Sequence, residues 1–539
     1  MNKYILLLLI GVLSISCVTK KQADLIVINA TVYTVNNNFT TAEALAIKDG
    51  KFVGIGSTDA ILNRFKSSNK VDAEGKTIVP GLIDAHCHFF GMGLQQQKVD
   101  LTGTKSYDEV LQKIKDFQDS KQTSFITGRG WDQNDWTIKE FPTKEKLDIL
   151  FPNTPVAVTR IDGHALLVNQ TALNLAGITV KTKVTGGEII KENGKITGVL
   201  IDNAMDMVYA VIPNPSKATQ IQALLDAQKI CIDLGLTTVD DAGLSKDNLE
   251  LIDSLQQSGD LKIRIYGMVS ATPENLDYYI NKGIIKTDRL NIRSFKVYAD
   301  GALGSRGAAL RKPYADKHNH FGAFVTDLKT IKSISKRIVN SDYQMNTHAI
   351  GDSANHYILE TYNAILKGKN NRRWRVEHAQ VVSPEDFKYY KNILPSIQST
   401  HATSDMYWAG DRLGSERLKG AYAYKDLLNA YGKVALGTDF PVEKVDPMLT
   451  FYAAVARQDL NNYPTDGFQM ENALTREETL KGMTIWAAYS NFEEAEKGSI
   501  EIGKFADFII IDQDIMAVDI HKVPDTKILE TYINGEKLK

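Results

Sequence analysis

Eight short apolar, β-rich runs recur through the middle of the chain, at 78–85, 236–241, 262–269, 294–299, 344–347, 374–377, 394–398 and 433–437. Between the later runs lie segments that are apolar at helical spacing, such as 328–340 and 353–366. Strands alternating with helices specify a parallel sheet, and eight of them predict an α/β fold built on a (β/α)8 TIM-like barrel. The interval from the first run to the second is far too long for one crossover. An inserted subdomain is therefore expected at about 90–220, with its own two-residue hairpin signal at Asn193-Gly194. In such a barrel the chemistry gathers at the C-terminal ends of the strands.

The two ends of the chain read differently. Residues 24–35 (DLIVINATVYTV) and 44–55 (ALAIKDGKFVGI, with Asp49-Gly50) are strand-like. So are 506–512 (ADFIIID) and 528–538 (ILETYINGEKL, with Asn534-Gly535). Strand-rich ends on either side of a barrel predict one small β domain built from both termini. A further segment lies outside the fold. Lys3, the apolar stretch 5–13 and Ser14-Ile15-Ser16-Cys17 read as a secretory signal at 1–17, too short to span a bilayer. Its ending resembles a bacterial lipobox, although Ser14 stands where leucine is usual. The expectation is an exported lipoprotein of the cell envelope, touching membrane only through a lipid on Cys17. Cleavage to a soluble periplasmic form is the alternative.

With 43% hydrophobic and 24% charged residues among 539, the chain is globular rather than disordered or collagen-like. Three cysteines exclude a disulfide framework, and a net charge of −2 gives no reason to expect a nucleic-acid partner. The basic run 367–375 (KGKNNRRWR) reads as a solvated helix end leading into a strand.

What matters most is where the ionisable residues fall. His86 and His88 follow the first run, and side chains two apart on a strand share a face while Cys87 points the other way. Two imidazoles so placed can grip one metal ion. Lys296 lies in the fourth run; His348, His378 and Asp439 end the fifth, sixth and eighth. Each has a plainer reading, as a core histidine, an ion-paired lysine or a helix-capping aspartate. Six of them collected at matching strand ends, at one mouth of the expected barrel, are hard to obtain by accident.

The motifs VPGLIDAHCHF, GRGWDQNDW, RIDGHALLVNQTAL, FKVYADGALGSR, THAIGD, RVEHAQ, SIQSTHATSD, GTDFPV and KGSIEIGKFADFIIID extend over nearly the whole chain. In these the sequence resembles the amidohydrolase superfamily, within it the amidohydrolase-3 (YtcJ-like) group of metal-dependent hydrolases. The resemblance implies a composite β-sandwich from 23–77 plus 491–539 beside a barrel at 78–490. It also implies one or two divalent metal ions, zinc foremost. His86, His88 and Asp439 would hold the first, His348 and His378 the second, and Lys296 would bridge them as a carboxylated lysine. The implied reaction is attack of metal-activated hydroxide on a non-peptide C–N (amide) bond of a small molecule, with Asp439 as general base and then acid. Ester, lactone or phosphoester hydrolysis by the same site is the alternative within enzymes, and a catalytically inactive, ligand-binding lipoprotein the alternative outside them. A paired-carboxylate glycosidase leaves four strand-end histidines unexplained.

The same motifs propose substrate-side residues: Trp131, Asp132, Asp162 and His164 in the insertion, expected to cover the mouth, then Asp300, Arg306 and His401. Local structure competes for each. Asp162 is a candidate cap for a helix over 165–176, and Arg306 a candidate partner for a nearby carboxylate. His318, His320 and His356 lie off the strand ends and read as structural.

Overall fold

The computed structural model describes residues 20–185, 187–368 and 370–539, so the segment 1–17 read as a secretory signal, with Cys17, lies outside the described residues. Two units divide the chain. One comprises the described residues up to Cys87 with 230–249 and 262–539; the other comprises 88–229 and 250–261.

The first unit holds eight parallel strands: β1 (Leu82–Cys87), β2 (Leu236–Leu244), β3 (Arg264–Ser270), β4 (Leu290–Tyr298), β5 (Gln344–Ala349), β6 (Arg375–His378), β7 (Leu394–Ile397) and β8 (Ala435–Leu436). Each pairs with the next in sequence order. Their residues are almost all buried, as a parallel sheet covered on both faces requires. Helices such as α1 (Leu328–Val339) and α2 (Asp352–Leu366) fill the crossovers. The Asp327 side chain caps α1 by accepting from Thr330 N, and Lys367 ends α2 in the left-handed region. The ring is nearly closed. Between β8 and β1, Asp439 N–H donates to His86 O at 2.8 Å, and Thr438 donates from N and Oγ1 to the buried Asp84 carboxylate.

One expected strand divides. Thr77–Pro80 pairs with Phe508–Ile511 in the terminal sheet, and the barrel strand begins only at Leu82. The break falls at Pro80-Gly81, where a Cβ on Gly81 would lie 2.3 Å from Thr237 Oγ1, so only glycine lets the chain pass.

The chain ends build the expected sandwich. A four-stranded sheet (Lys51–Gly56, Ala44–Lys48, Leu25–Ile28, Lys70–Asp72) accompanies a six-stranded one in which Ile528–Ile533 and Phe508–Ile511 join Thr77–Pro80 and Thr31–Tyr33. Leu25, Val27, Leu45, Ile47, Ile78 and Phe508 share its core. The three hairpin signals read in the sequence, Asp49-Gly50, Asn193-Gly194 and Asn534-Gly535, have both residues at positive φ, as two-residue hairpins require. Arg264 on β3 ties the sandwich to the barrel through a buried fork onto Asp507, at 2.6 and 3.0 Å.

The basic run is spent locally. Arg372 donates to Val339 O and Ser341 O at the end of α1, Arg373 forks onto Glu494, and Arg375 is buried. In the second unit a six-stranded sheet runs through Ile126–Trp131, Val156–Arg160, Ala165–Val168 and Lys195–Asp202. The helix expected over 165–176 is here a strand at Ala165–Val168 followed by a helix at Gln170–Leu175 capped by Asn169, not Asp162. The run ALLV packs on both faces of the sheet, and burial overrides its helical spacing. Among the described residues no helix is long and apolar enough to cross a membrane.

Candidate metal centre

His86 and His88 stand at the end of β1, while Cys87 turns away and its Sγ–H donates to Asp240 O at 3.4 Å. Donor atoms of His86, His88 and Asp439 all lie within 4.8 Å of one another. Two imidazoles and a carboxylate at that spacing form a donor set suited to zinc or a similar divalent ion. Asp439 also faces the other strand ends, with His86 Nε2 at 3.7 Å, His401 Nε2 at 3.9 Å and His378 Nδ1 at 4.0 Å. The His378 ring is 4.8 Å from that of His86 and 4.6 Å from that of His348. His401 lies on the short helix Ser399–Asp405 after β7.

Burial and the positive charge of neighbours hold His86, His348 and His378 below the ordinary imidazole range, His348 at about 3. They are therefore neutral, with a lone pair to give. His348 Nε2 and His401 Nε2 are buried without a hydrogen bond, as expected of nitrogens aimed at a cation. Lys296 on β4 has its Nζ 2.9 Å from His86 Nε2, and burial pushes it down to about 8.

The backbone is strained here. His378 has φ +72° and Asp439 φ +62°, left-handed values costing a non-glycine residue about 1–3 kcal/mol each, the kind of strain that clusters at functional sites. The geometry shows its use. Strict alternation would send Glu377 and His378 to opposite faces, yet both reach His86, because His378 has left the β region.

Glu377 is not among the residues that the sequence motifs single out. Its Oε2 accepts from His86 Nδ1–H at 2.6 Å. Burial would raise this carboxyl, but His86, Arg375 and Lys296 together hold it at about 2. Gln398 does the same for His378, its Oε1 2.7 Å from Nδ1. A signal was present in R-V-E-H, three ionisable residues within four of a strand buried on both faces.

A family model described as "Amidohydrolase family" matches residues 70–538. The chain belongs to the amidohydrolase family. Similar proteins span its length. Protein LONG AFTER FAR-RED 3 of Arabidopsis thaliana is 33% identical, covering 96% of this chain and 91% of that protein. The putative amidohydrolase YtcJ of Bacillus subtilis is 32% identical, covering 94% and 97%. The N-substituted formamide deformylase of Arthrobacter pascens is 24% identical, covering 96% and 98%. Among solved structures, an uncharacterized metal-dependent hydrolase from Pyrococcus horikoshii superposes with a TM-score of 0.77 at 28% identity, over 92% of this chain and 99% of that one. This is a metal-dependent hydrolase family, and His86, His88 and Asp439 are the amidohydrolase's candidate metal site.

The remaining residues singled out in the sequence fall in three places. Asp300 lies beside the centre, 3.6 Å from His348 Nε2, but its carboxylate is taken by backbone N–H groups of Ala309, Ile350 and Gly351 at 2.8–3.0 Å. It ties the segment after β4 to the end of β5. Arg306 forks onto Asp316 at 2.8 and 3.1 Å. Trp131, Asp132, Asp162 and His164 belong to the second unit. Trp131 is wholly buried in a hydrophobic cluster, with Nε1–H donating to Val158 O at 2.8 Å. Arg160 bridges Asp132 and Asp162, and the exposed His164 pairs with Asp202 at 2.8 Å. Of the histidines read as structural, His320 pairs with Arg306 O and His356 with Asp386, while His318 is exposed.

Proposed function

We propose that this amidohydrolase cleaves a non-peptide C–N (amide) bond of a small molecule, with Asp439 moving the proton. The observation that carries the reading is the convergence of His86, His88 and Asp439 donor atoms within 4.8 Å at the strand ends. The printed name of one full-length relative, an N-substituted formamide deformylase, supports the bond type. A bound divalent ion supplies Lewis-acid polarisation of the carbonyl and makes water acidic enough to attack near neutral pH.

The protein's own groups do the rest. In this reading His86 and His88 would hold the ion with Asp439, and His348 and His378 would hold a second. Asp439 has an oxygen facing the rings of His378 and His401, from which it can take a proton from water and return it to the leaving nitrogen. Lys296, wholly buried beside His86, is the candidate for N6-carboxylation and a bridging role. Intact-mass measurement under CO₂ tests it, expecting a gain that Lys296→Ala abolishes. Export with a lipid on Cys17 belongs to the same proposal, and metabolic labelling with a palmitate analogue tests it.

The decisive experiment assays the zinc-loaded protein, and the chelated protein as control, on matched N-substituted amides and esters. Zinc-dependent turnover of amides supports the reading. Turnover of esters alone overturns the bond assignment, and no turnover of either class overturns the proposal for these substrates.

A further inference from the structure

Behind Glu377 stands a line of buried side chains that the reaction does not use. Arg375, two residues earlier on β6, has NH1 3.9 Å from Glu377 Oε1 and donates from it to Asp240 Oδ2 on β2 at 2.9 Å. The same nitrogen donates to Ala85 O at 3.3 Å, the carbonyl immediately before His86. Its NH2 donates to Asn491 Oδ1, and Asn491 Nδ2 donates to Asp240 Oδ1 at 2.6 Å. Asn491 directly follows the helix Ile485–Ser490. All four side chains are wholly buried. A carboxylate buried alone is costly, and a guanidinium set between two of them makes both tolerable. The result keys β1, β2, β6 and that helix together around His86.

We propose that Glu377, backed by Arg375, is a positioning residue that sets the metal affinity of the centre through His86. A carboxylate can only accept from Nδ1, so the bond places the ring proton there and leaves Nε2 as the lone-pair nitrogen facing Asp439. Arg375 fixes both Glu377 and the backbone from which His86 springs. The inference rests on the metal-holding reading of His86. Partners of this kind typically change metal affinity by about 10–100-fold.

The test titrates zinc into the full chain against a chromophoric chelator, with urea midpoints of the metal-free forms measured alongside. Glu377→Asp keeps the charge but loses one methylene of reach, and is expected to weaken zinc binding about 10–100-fold. Glu377→Gln keeps an oxygen at the same reach and is expected to lose less. Arg375→Lys never touches the ion, and is expected to weaken binding several-fold by releasing Glu377 and Ala85. Wild-type affinity in Glu377→Asp, or a greater loss in Glu377→Gln than in Glu377→Asp, overturns the positioning role. So does a loss that merely tracks the urea midpoint. If Glu377→Asp does not fold, unchanged affinity in Arg375→Lys overturns it. No zinc binding by wild type overturns the metal-holding reading itself, and this inference with it.

Discussion

At the scale of single residues, Asp439 carries the heaviest expectation. Its carboxylate lies within 4.0 Å of nitrogens on His86, His378 and His401, so an amide there keeps shape and loses basicity. With zinc saturating, Asp439→Asn is expected to lower kcat about 10²–10⁴-fold, the range of a lost general base, on top of the weaker zinc binding that follows from losing an anionic ligand. Activity above a tenth of wild type would remove Asp439 from the proton path. Glu493 offers a separate prediction, on stability. It is wholly buried between Lys286 at 2.5 Å and Lys497 at 2.7 Å. Burial would raise its pKa, but the two ammonium groups hold it below the ordinary carboxylate range. Lys497 moves the other way, lowered because its burial outweighs its carboxylate partner. The carboxylate has two cations to the lysine's one anion, so the direction on Glu493 is the one to follow. A lowered carboxylate stabilises the fold above the unfolded-state pKa and loses that contribution progressively as pH falls from there through the lower folded-state pKa. The urea midpoint of Glu493→Gln should therefore lie below wild type at pH 7, with the gap narrowing by pH 4. A constant gap would refute the linkage.

At the scale of elements, the seam between β8 and β1 is the sensitive place. A Cβ on Gly437 would lie 2.5 Å from His86 N and 2.7 Å from Asp84 Oδ1. Gly437→Ala must push apart the strands that carry His86 and Asp439. It is expected to cost about 1–3 kcal/mol of stability by overpacking and to lower zinc affinity as well. Urea unfolding and chelator competition measure the two; wild-type values in both would mean the seam is looser than its spacing implies. The strands themselves were readable because β–α alternation and burial are local patterns. Their edges were not: 78–85 split at Pro80-Gly81 on account of Thr237, a residue on the far side of the whole insertion in sequence, and 165–176 became strand then helix because a sheet covers ALLV on both sides.

At the scale of the whole molecule, the sandwich and the barrel share one buried ion pair. Arg264 and Asp507 come from β3 and from the terminal sheet's edge of the chain, and both are nearly inaccessible. Asp507→Ala leaves the guanidinium buried without its carboxylate, an expected loss of about 3–5 kcal/mol, with Asp507→Asn milder. Equal urea midpoints for Asp507→Ala and wild type would show the pair to be dispensable. The division of labour between sequence and fold follows from range. The sequence alone determined that eight strands alternate with helices, that both ends make one β unit, and that His86, His88, Lys296, His348, His378 and Asp439 sit at strand ends, since each needs only periodicity along the chain. It also carried the family motifs. Tertiary structure alone decided that Glu377 meets His86, that Asp300 is spent on three backbone amides, that Arg306 is spent on Asp316, and that Trp131 is core. A hydrogen bond is decided over about 3 Å, between residues hundreds apart in the chain, and its partners exist only once the ring of strands has closed.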